Sequence, residues 1–289
     1  MFICYVLGTV ISMLPSYPGP TKIISIPDRG ILQVRDMPGP EHGPTLILLH
    51  GLSVTGDLNW HKHYKLLTEH FRVIVYDHHG HGSGIRLKKK FTLVDAADDV
   101  LGVADALGVD KFTPVGYSMG GAVAQLVAYR HPERVRGMVL AATSTSFTNG
   151  RYGNGAFLLL RSFARLSMYS PRIVLSMFVH KVYGRTLPSN LDPWVLSQLL
   201  GHDWTTVAWA GASTGRYDSS TFLDKVTTRS AVIVTTKDSL VRAKDQEHLF
   251  ALLRGDKKIF HIPGDHLSVY AAPTVFGPVL LEACRYACA

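Results

Sequence analysis

Cysteines and nucleotide-binding motifs are both scarce in this sequence. Its 289 residues include three cysteines, Cys4, Cys284 and Cys288, and no Cys-x-x-Cys pair. A disulfide framework and a cysteine-based zinc site are therefore excluded, and we interpret the thiols as reduced packing residues. The sequence also has no Gly-x-x-x-x-Gly-Lys-Ser/Thr motif and no Gly-x-Gly-x-x-Gly after a strand, so we expect no nucleotide cofactor.

Acidic residues are also in the minority. The sequence has 22 Asp and Glu residues against 30 Lys and Arg residues, which gives a net charge of +8. The strongest basic run, residues 86–90, has no aromatic residues interleaved with it, and we interpret it as a solvated loop. With 46% hydrophobic and 18% charged residues, the composition is that of a globular protein, and we expect no nucleic-acid partner.

The apolar stretch from Phe2 to Leu14 has neither the length of a membrane span nor the pattern of a signal peptide. It lacks a basic region before it and a small-x-small cleavage site after it, and the proline-rich residues 15–20 end any helix. Two interpretations stay open, a segment packed on the protein and a weak interfacial anchor. We expect a cytoplasmic protein, with peripheral membrane contact as the alternative.

What the sequence does contain is a series of continuous apolar runs. Residues 21–27 and 31–37 have the pattern of a β-hairpin, and six further strands are predicted at 45–49, 71–76, 112–115, 135–142, 231–235 and 258–262. These runs alternate with predicted helices at 60–69, 93–107 and 243–253. The pattern is typical of a mostly parallel α/β sheet with helices on both faces. Pro114 lies in a presumed central strand although it cannot donate a ladder hydrogen bond, and the sequence does not explain it.

The predicted strands at 135–142 and 231–235 are separated by a long interval, residues 143–230. Because a structureless loop of that length is implausible in a compact domain, we interpret residues 147–222 as an inserted helical lid. Its predicted helices are 156–169, 172–183 and 193–200. The predicted organisation is an apolar N-terminal segment (1–20), a core in two parts (21–146 and 223–289) and the lid between them.

The five residues Gly116-Tyr117-Ser118-Met119-Gly120 lie between a short apolar run and a helical stretch. A serine on so tight a turn is forced to a positive φ, and side chains two positions before and after it would collide. A strand, a Gly-x-Ser-x-Gly turn and a helix together form a nucleophile elbow. Ser118 is therefore the candidate nucleophile, with an ordinary turn serine as the alternative.

A serine nucleophile needs a base, and the base needs an acid that orients it. Asp238 follows a predicted strand, and His266 follows the last one, so both belong at the carboxyl edge of the sheet. The order Ser118, Asp238, His266 is that of an α/β-hydrolase triad. Asp77 is the alternative acid, Asp245 falls inside a predicted helix, and a helix cap is the alternative role for Asp238.

With these motifs the chain resembles the serine-dependent α/β-hydrolases of the lidded esterase/lipase type, from Thr21 onward. His50-Gly51-Leu52 resembles the His-Gly-x loop of that family. By this likeness the backbone N–H groups of Leu52 and Met119 form the oxyanion hole. The resemblance implies an eight-stranded, mostly parallel sheet flanked by helices, and no cofactor.

The loop after the fourth predicted strand carries a second likeness. Residues 77–84 resemble the Asp-x-Arg-Gly-x-Gly-x-Ser loop of the family, in which the aspartate, here Asp77, holds the loop together. His79 stands where arginine is usual and Gly84 where serine is usual. These departures put the bracing of the loop in question, but not the triad.

A cluster of histidines precedes and includes this loop. Its members are His61, His63, His70, His78, His79 and His81. His61 and His63 would point apart on a helix, no carboxylate or cysteine spacing supports a site, and His50 and His81 have family counterparts. We therefore expect no metal.

The expected reaction is hydrolysis of a carboxylic ester through an acyl-enzyme, with a small-molecule ester or lipid as the substrate. Between Phe147 and Leu191 the predicted lid has six basic residues and no Asp or Glu, mixed with apolar residues. This composition favours a medium or long acyl chain, although solvated arginines on an ordinary lid helix are the alternative. Other uses of the same triad are acyl transfer and thioester or carbon–carbon bond hydrolysis, and a further alternative is a non-catalytic ligand- or lipid-surface-binding relative.

Overall fold

The centre of the computed structural model, which describes residues 21–147 and 192–289, is an eight-stranded sheet. Its strands are β1 (Thr21–Ile26), β2 (Gly30–Met37), β3 (Thr45–Leu49), β4 (Arg72–Tyr76), β5 (Thr113–Tyr117), β6 (Met138–Ala141), β7 (Ser230–Thr235) and β8 (Lys257–Ile262). They are arranged in the order β1-β2-β4-β3-β5-β6-β7-β8. β2 is antiparallel to both β1 and β4, and all other neighbours are parallel. The predicted eight-stranded, mostly parallel sheet is confirmed.

Helices cover both faces of this sheet. They are α1 (Gly56–Trp60), α2 (Tyr64–Thr68), α3 (Leu93–Ala106), α4 (Met119–Arg130), α5 (Pro193–Leu200), α6 (Trp204–Thr214), α7 (Ala243–Leu252), α8 (Ser268–Ala271) and α9 (Pro273–Cys288). Because side chains alternate along a strand, Ile47 and Leu49 enter the core beneath α3, α4 and α7, whereas Leu46 and Leu48 enter the core beneath α1, α2 and α9. Among the described residues no helix is both long enough and apolar enough to cross a membrane.

The predicted helix 60–69 differs from the observed structure. Helical structure begins earlier, at Gly56, because the Thr55 side chain accepts the N–H of Leu58 and caps the helix. A 3₁₀ turn at His61–His63 then separates α1 from α2. Within that turn His63 is buried, and its Nε2 donates to the Val269 carbonyl at 2.7 Å, a tertiary contact that local periodicity does not encode.

Pro114 lies opposite an irregularity in the neighbouring strand. An isolated parallel bridge joins Phe112 to Val135, and regular pairing resumes at Val115 and Val139. Residues 113 and 114 therefore lie opposite the three residues 136–138, and two residues opposite three is the pattern of a β-bulge. Proline is tolerated at a bulge because the ladder hydrogen bond is already missing there.

Of the predicted lid, the structure describes residue 147 and residues 192–222. The predicted helix Pro193–Leu200 occurs with those bounds, whereas the predicted helices 156–169 and 172–183 lie outside the described residues. A further helix, α6, was not predicted. Asp203 caps it by accepting the N–H of Thr205 at 3.0 Å.

Candidate active site

Ser118 occupies the turn between β5 and α4. Its backbone has φ +54° and ψ −117°, a conformation that side chains rarely adopt. A Cβ on Gly116 would lie 2.3 Å from the Gly120 carbonyl oxygen, and one on Gly120 would lie 2.2 Å from the carbonyl oxygen of Leu49. Both glycines of the motif are therefore required by close backbone approach.

Two contacts from β6 and the residues after it fix the backbone of this turn. The Ser118 N–H donates to the Ala141 carbonyl at 3.0 Å, and the Thr143 hydroxyl donates to the Ser118 carbonyl at 2.8 Å. Thr143 is buried and also packs against Gly121 in the first turn of α4. Thr143 was not predicted from the sequence, because nothing in its local pattern distinguishes it from other threonines.

The structure brings Ser118, His266 and Asp238 together at the carboxyl edge of the sheet. His266 Nε2 lies 3.0 Å from Ser118 Oγ, and His266 Nδ1 lies 2.7 Å from Asp238 Oδ2. Asp238 comes from the loop after β7 and His266 from the loop after β8. The imidazole therefore bridges the hydroxyl and the carboxylate, the arrangement in which a serine proton can be withdrawn.

The carboxylate of Asp238 is buried and saturated with donors. Its Oδ1 accepts the N–H groups of Leu240 at 2.8 Å and Val241 at 2.9 Å, and its Oδ2 also accepts the Thr235 hydroxyl at 2.8 Å. Burial acts to raise the pKa of Asp238, but the charge and hydrogen bond of His266 and the other donors lower it below its ordinary value. The group is therefore ionised at neutral pH and orients the imidazole.

The two other aspartates considered as acids are occupied elsewhere. Asp77 accepts the N–H groups of Gly56 and Ser83, each at 2.7 Å, and so braces the loop that follows β4. Asp245 pairs with Arg242 at 2.8 Å. Among the hydrogen bonds of the described residues, only Asp238 of these three acids contacts the His266 ring.

Tyr117 and Gln246 support the acid and the base from behind. The Tyr117 hydroxyl donates to the main-chain carbonyl of His266 at 3.0 Å. Gln246 is fully buried and donates to the hydroxyl of Thr235 at 2.9 Å, the same hydroxyl that contacts Asp238. Neither role was predicted from the sequence, since both depend on contacts between distant segments.

The loop of residues 50–55, which we call the oxyanion loop, lies directly beside Ser118. A Cβ on Gly51 would be 3.5 Å from the Ser118 Cβ. The Gly51 N–H donates to the buried Asn59 side chain at 3.1 Å, a contact that the sequence did not reveal. Within the described residues no acceptor contacts the N–H groups of Leu52 and Met119, the two donors expected in the oxyanion hole.

Buried, neutral imidazoles lie behind this loop. His50 Nε2 accepts the His78 N–H at 2.9 Å, and His81 Nε2 accepts the Ser53 N–H at 3.3 Å. Burial lowers the pKa of His50 to about 4, and it lowers the pKa of His81 well below the ordinary value. In residues 21–147 and 192–289 no group of three or more His, Cys, Asp or Glu side chains is arranged to hold a metal ion.

Comparison with known proteins shows which family the chain resembles. The family model described as alpha/beta hydrolase fold matches residues 44–273, more than half of the chain. A Caulobacter vibrioides protein provisionally named carbamate hydrolase RutD is 38% identical over 104 residues, which cover 35% of this chain and 38% of that protein. Epoxide hydrolase B of Mycobacterium tuberculosis is 32% identical over 120 residues, which cover 41% of this chain and 34% of that protein. The chain thus matches well under half the length of these curated relatives.

Solved structures share the fold over almost the whole chain. A hydrolase from Pseudomonas aeruginosa PA01 has 25% identity and a TM-score of 0.76, and the match covers 91% of this chain and 98% of that one. A thermophilic esterase from Thermogutta terrifontis has 21% identity and a TM-score of 0.77, with 94% and 100% covered. At such identities these likenesses establish the architecture, and function has to be argued from the site.

Proposed function

We propose that this chain, which belongs to the alpha/beta hydrolase fold family, is a serine hydrolase that cleaves carboxylic esters. The observation that carries the proposal is the bridging position of His266, 3.0 Å from Ser118 Oγ and 2.7 Å from Asp238 Oδ2. A hydroxyl, an imidazole and a buried carboxylate in this order support nucleophilic acyl chemistry.

In the proposed mechanism His266 Nε2 accepts the proton of Ser118 as its oxygen attacks the ester carbonyl. Asp238, ionised and held by three further donors, keeps the imidazole in the tautomer whose Nδ1 carries the proton. The protonated imidazole then donates to the leaving alcohol, and the acyl group stays on Ser118. Water, deprotonated by the same nitrogen, cleaves the acyl-enzyme and restores the serine.

The proposed oxyanion hole consists of the N–H groups of Leu52 and Met119. Met119 opens α4 immediately after the nucleophile, and Gly51 brings the oxyanion loop against Ser118. Two donors fixed before the reaction would stabilise the negative oxygen of the tetrahedral intermediate, each by roughly 3 kcal/mol.

Labelling and substitution of Ser118 test this function. We expect a fluorophosphonate probe to label Ser118 in the wild type and not in Ser118→Ala. Hydrolysis of p-nitrophenyl esters should fall on the order of 10⁴- to 10⁶-fold in the variant. If Ser118→Ala kept a tenth of the wild-type rate, the assignment of the nucleophile would be wrong.

For the substrate we propose an ester with a medium or long acyl chain. The support is the basic, apolar composition of residues 147–191, which have no Asp or Glu. In a series of p-nitrophenyl esters, kcat/KM should rise from acetate toward longer chains. A strict preference for acetate would contradict this assignment of the acyl group.

Carbamate cleavage is the second candidate, because the similar protein from Caulobacter vibrioides is named as a carbamate hydrolase. The same attack on a carbonyl would place a carbamoyl group on Ser118. A p-nitrophenyl carbamate that is turned over faster than the matching ester would favour this reaction. Epoxide opening is disfavoured, since the epoxide-hydrolase branch of this family uses aspartate where this sequence has Ser118.

A further inference from the structure

Helix α5 contacts the end of the oxyanion loop through Gln198. The Thr55 hydroxyl donates to Gln198 Oε1 at 2.7 Å. The same hydroxyl accepts the N–H of Leu58 at 3.1 Å and caps α1. Gln198 therefore fixes the hydroxyl at which the oxyanion loop passes into the helix.

His202 reaches the same loop from another side. It is buried, its Nδ1 accepts the Gly82 N–H at 2.9 Å, and its ring centroid lies 5.3 Å from that of His81 in an edge-to-face arrangement. His81 Nε2 in turn accepts the Ser53 N–H at 3.3 Å. By packing on His81, His202 restricts rotation of the imidazole that holds Ser53.

Both contacts act on a strained part of the loop. Ser53 has a φ of +62°, although it is not glycine. Such a conformation persists only where the surroundings over-determine it. Ser53 directly follows Leu52, so relaxation at Ser53 would move the N–H that we assign to the oxyanion hole.

We propose that Gln198 and His202 are positioning residues for the oxyanion hole and hold the Leu52 N–H in place from the 192–206 segment. This inference rests on the proposed function and deepens it. The 192–206 segment then affects the rate of acyl transfer to Ser118 through the position of the Leu52 N–H.

Other contacts keep the 192–206 segment docked when either side chain is replaced. The Asp203 N–H donates to the Gly80 carbonyl at 2.8 Å, and the Arg86 guanidinium donates to the Gly201 carbonyl at 3.0 Å. Trp194 is buried in an apolar cluster with Leu58. Single substitutions at Gln198 and His202 should therefore leave the fold intact.

The first test compares Gln198→Leu, Gln198→Glu and the control Ser197→Ala, an exposed position on the same helix. In Gln198→Leu we expect kcat for a p-nitrophenyl ester to fall about tenfold, with KM within about twofold, because only the transition state uses the oxyanion hole. Gln198→Glu keeps an acceptor for Thr55 and should retain kcat within about threefold. Ser197→Ala should match the wild type.

Hydrogen exchange supplies a readout that does not depend on turnover. Deuterium uptake by peptides spanning residues 50–55 should rise in Gln198→Leu and stay at the wild-type level in Gln198→Glu and Ser197→Ala. His202→Leu should behave like Gln198→Leu. His202→Asn keeps an acceptor for the Gly82 N–H but lacks the ring that packs on His81, so it should also behave like Gln198→Leu.

Two results would overturn the inference. One is a Gln198→Leu or His202→Leu enzyme whose kcat and deuterium uptake equal those of Ser197→Ala. The other is a rise in KM alone, which would make these residues substrate contacts. If the wild type hydrolyses no ester, the proposed function fails, and uptake alone then decides whether the two residues hold the oxyanion loop.

Discussion

Buried histidines should make this protein sensitive to mild acid. Burial lowers the pKa of seven of the described histidines. The pKa falls to about 4 for His50, His63 and His202, well below the ordinary value for His78 and His81, and also below it for His61 and His79. Most of these rings also accept a backbone N–H on an unprotonated ring nitrogen, which requires the neutral imidazole. His50, for example, accepts a backbone N–H on Nε2, which a protonated ring could not do.

The sign and size of the effect follow from proton linkage. An unfolded histidine titrates near 6.5, so between pH 6.5 and pH 4 the unfolded chain binds protons that the folded chain excludes. The stabilisation is present above pH 6.5 and is lost as the pH falls to 4. For His50, His63 and His202 it amounts to roughly 3 kcal/mol each across that interval. Near pH 5 the three together give a slope of about 4 kcal/mol per pH unit.

This slope is large compared with a typical unfolding free energy of about 5–15 kcal/mol. His61, His78, His79 and His81 act in the same direction. Asp77 and Asp99, whose pKa burial raises above the ordinary value of 3.8, act in the opposite direction. Because the histidines outnumber these two carboxyl groups, we expect the unfolding free energy to fall as the pH is lowered from 6.5 to 4.

Urea unfolding followed by tryptophan fluorescence at intervals between pH 6.5 and pH 4 measures this dependence. His63→Gln keeps a donor for the Val269 carbonyl and removes one titrating group, so the slope should fall by about 1.4 kcal/mol per pH unit. His42→Gln is the control, since the His42 side chain is 92% exposed. An unfolding free energy that stays constant across this interval would refute the reasoning, as would an unchanged slope in His63→Gln.

Three substitutions near the site have expected outcomes of their own. Asp238→Asn should lower kcat on the order of 10⁴-fold with an unchanged circular dichroism spectrum, because the amide favours the wrong tautomer of His266. A loss of kcat under tenfold would argue for another acid. Tyr117→Phe removes the donor to the His266 carbonyl, so kcat should fall up to about tenfold. An unchanged kcat would show that Tyr117 contributes only packing. Gly120→Ala should lower the free energy of unfolding by roughly 3 kcal/mol or more, since its Cβ would meet the Leu49 carbonyl oxygen at 2.2 Å. A urea midpoint near the wild-type value would contradict this close approach.

Elements whose pattern is local could be predicted from the sequence. The strand Thr45–Leu49 and the helix Pro193–Leu200 were predicted at their observed bounds, because continuous apolar runs and a helical period are properties of short segments. The positions of Ser118, Asp238 and His266 along the chain were also readable, since each follows or joins a predicted strand. Chain order alone then required them to share one edge of the sheet.

The supporting residues of the site could not be predicted in this way. Asn59, Thr143 and Gln246 contact groups that they reach only after the chain has folded, and neither residue type nor spacing marks them. His202 contacts the N–H of Gly82, 120 positions earlier in the chain. Pro114 was anomalous for the same reason, because the bulge that accommodates it lies in the neighbouring strand.

Backbone strain in the described residues is concentrated where the proposed chemistry takes place. Five non-glycine residues have positive φ: Asp28, His42, Ser53, Ser118 and Ala142. Ser118 and Ala142 are held by hydrogen bonds to adjacent strands, since the Ser118 N–H donates to the Ala141 carbonyl and the Ala142 N–H donates to the Ile233 carbonyl. Their conformations therefore depend on the pairing of β5, β6 and β7, the most deeply buried part of the sheet. Ser53 is instead held by the His81 imidazole, which packs against His202, so its conformation depends on the 192–206 segment.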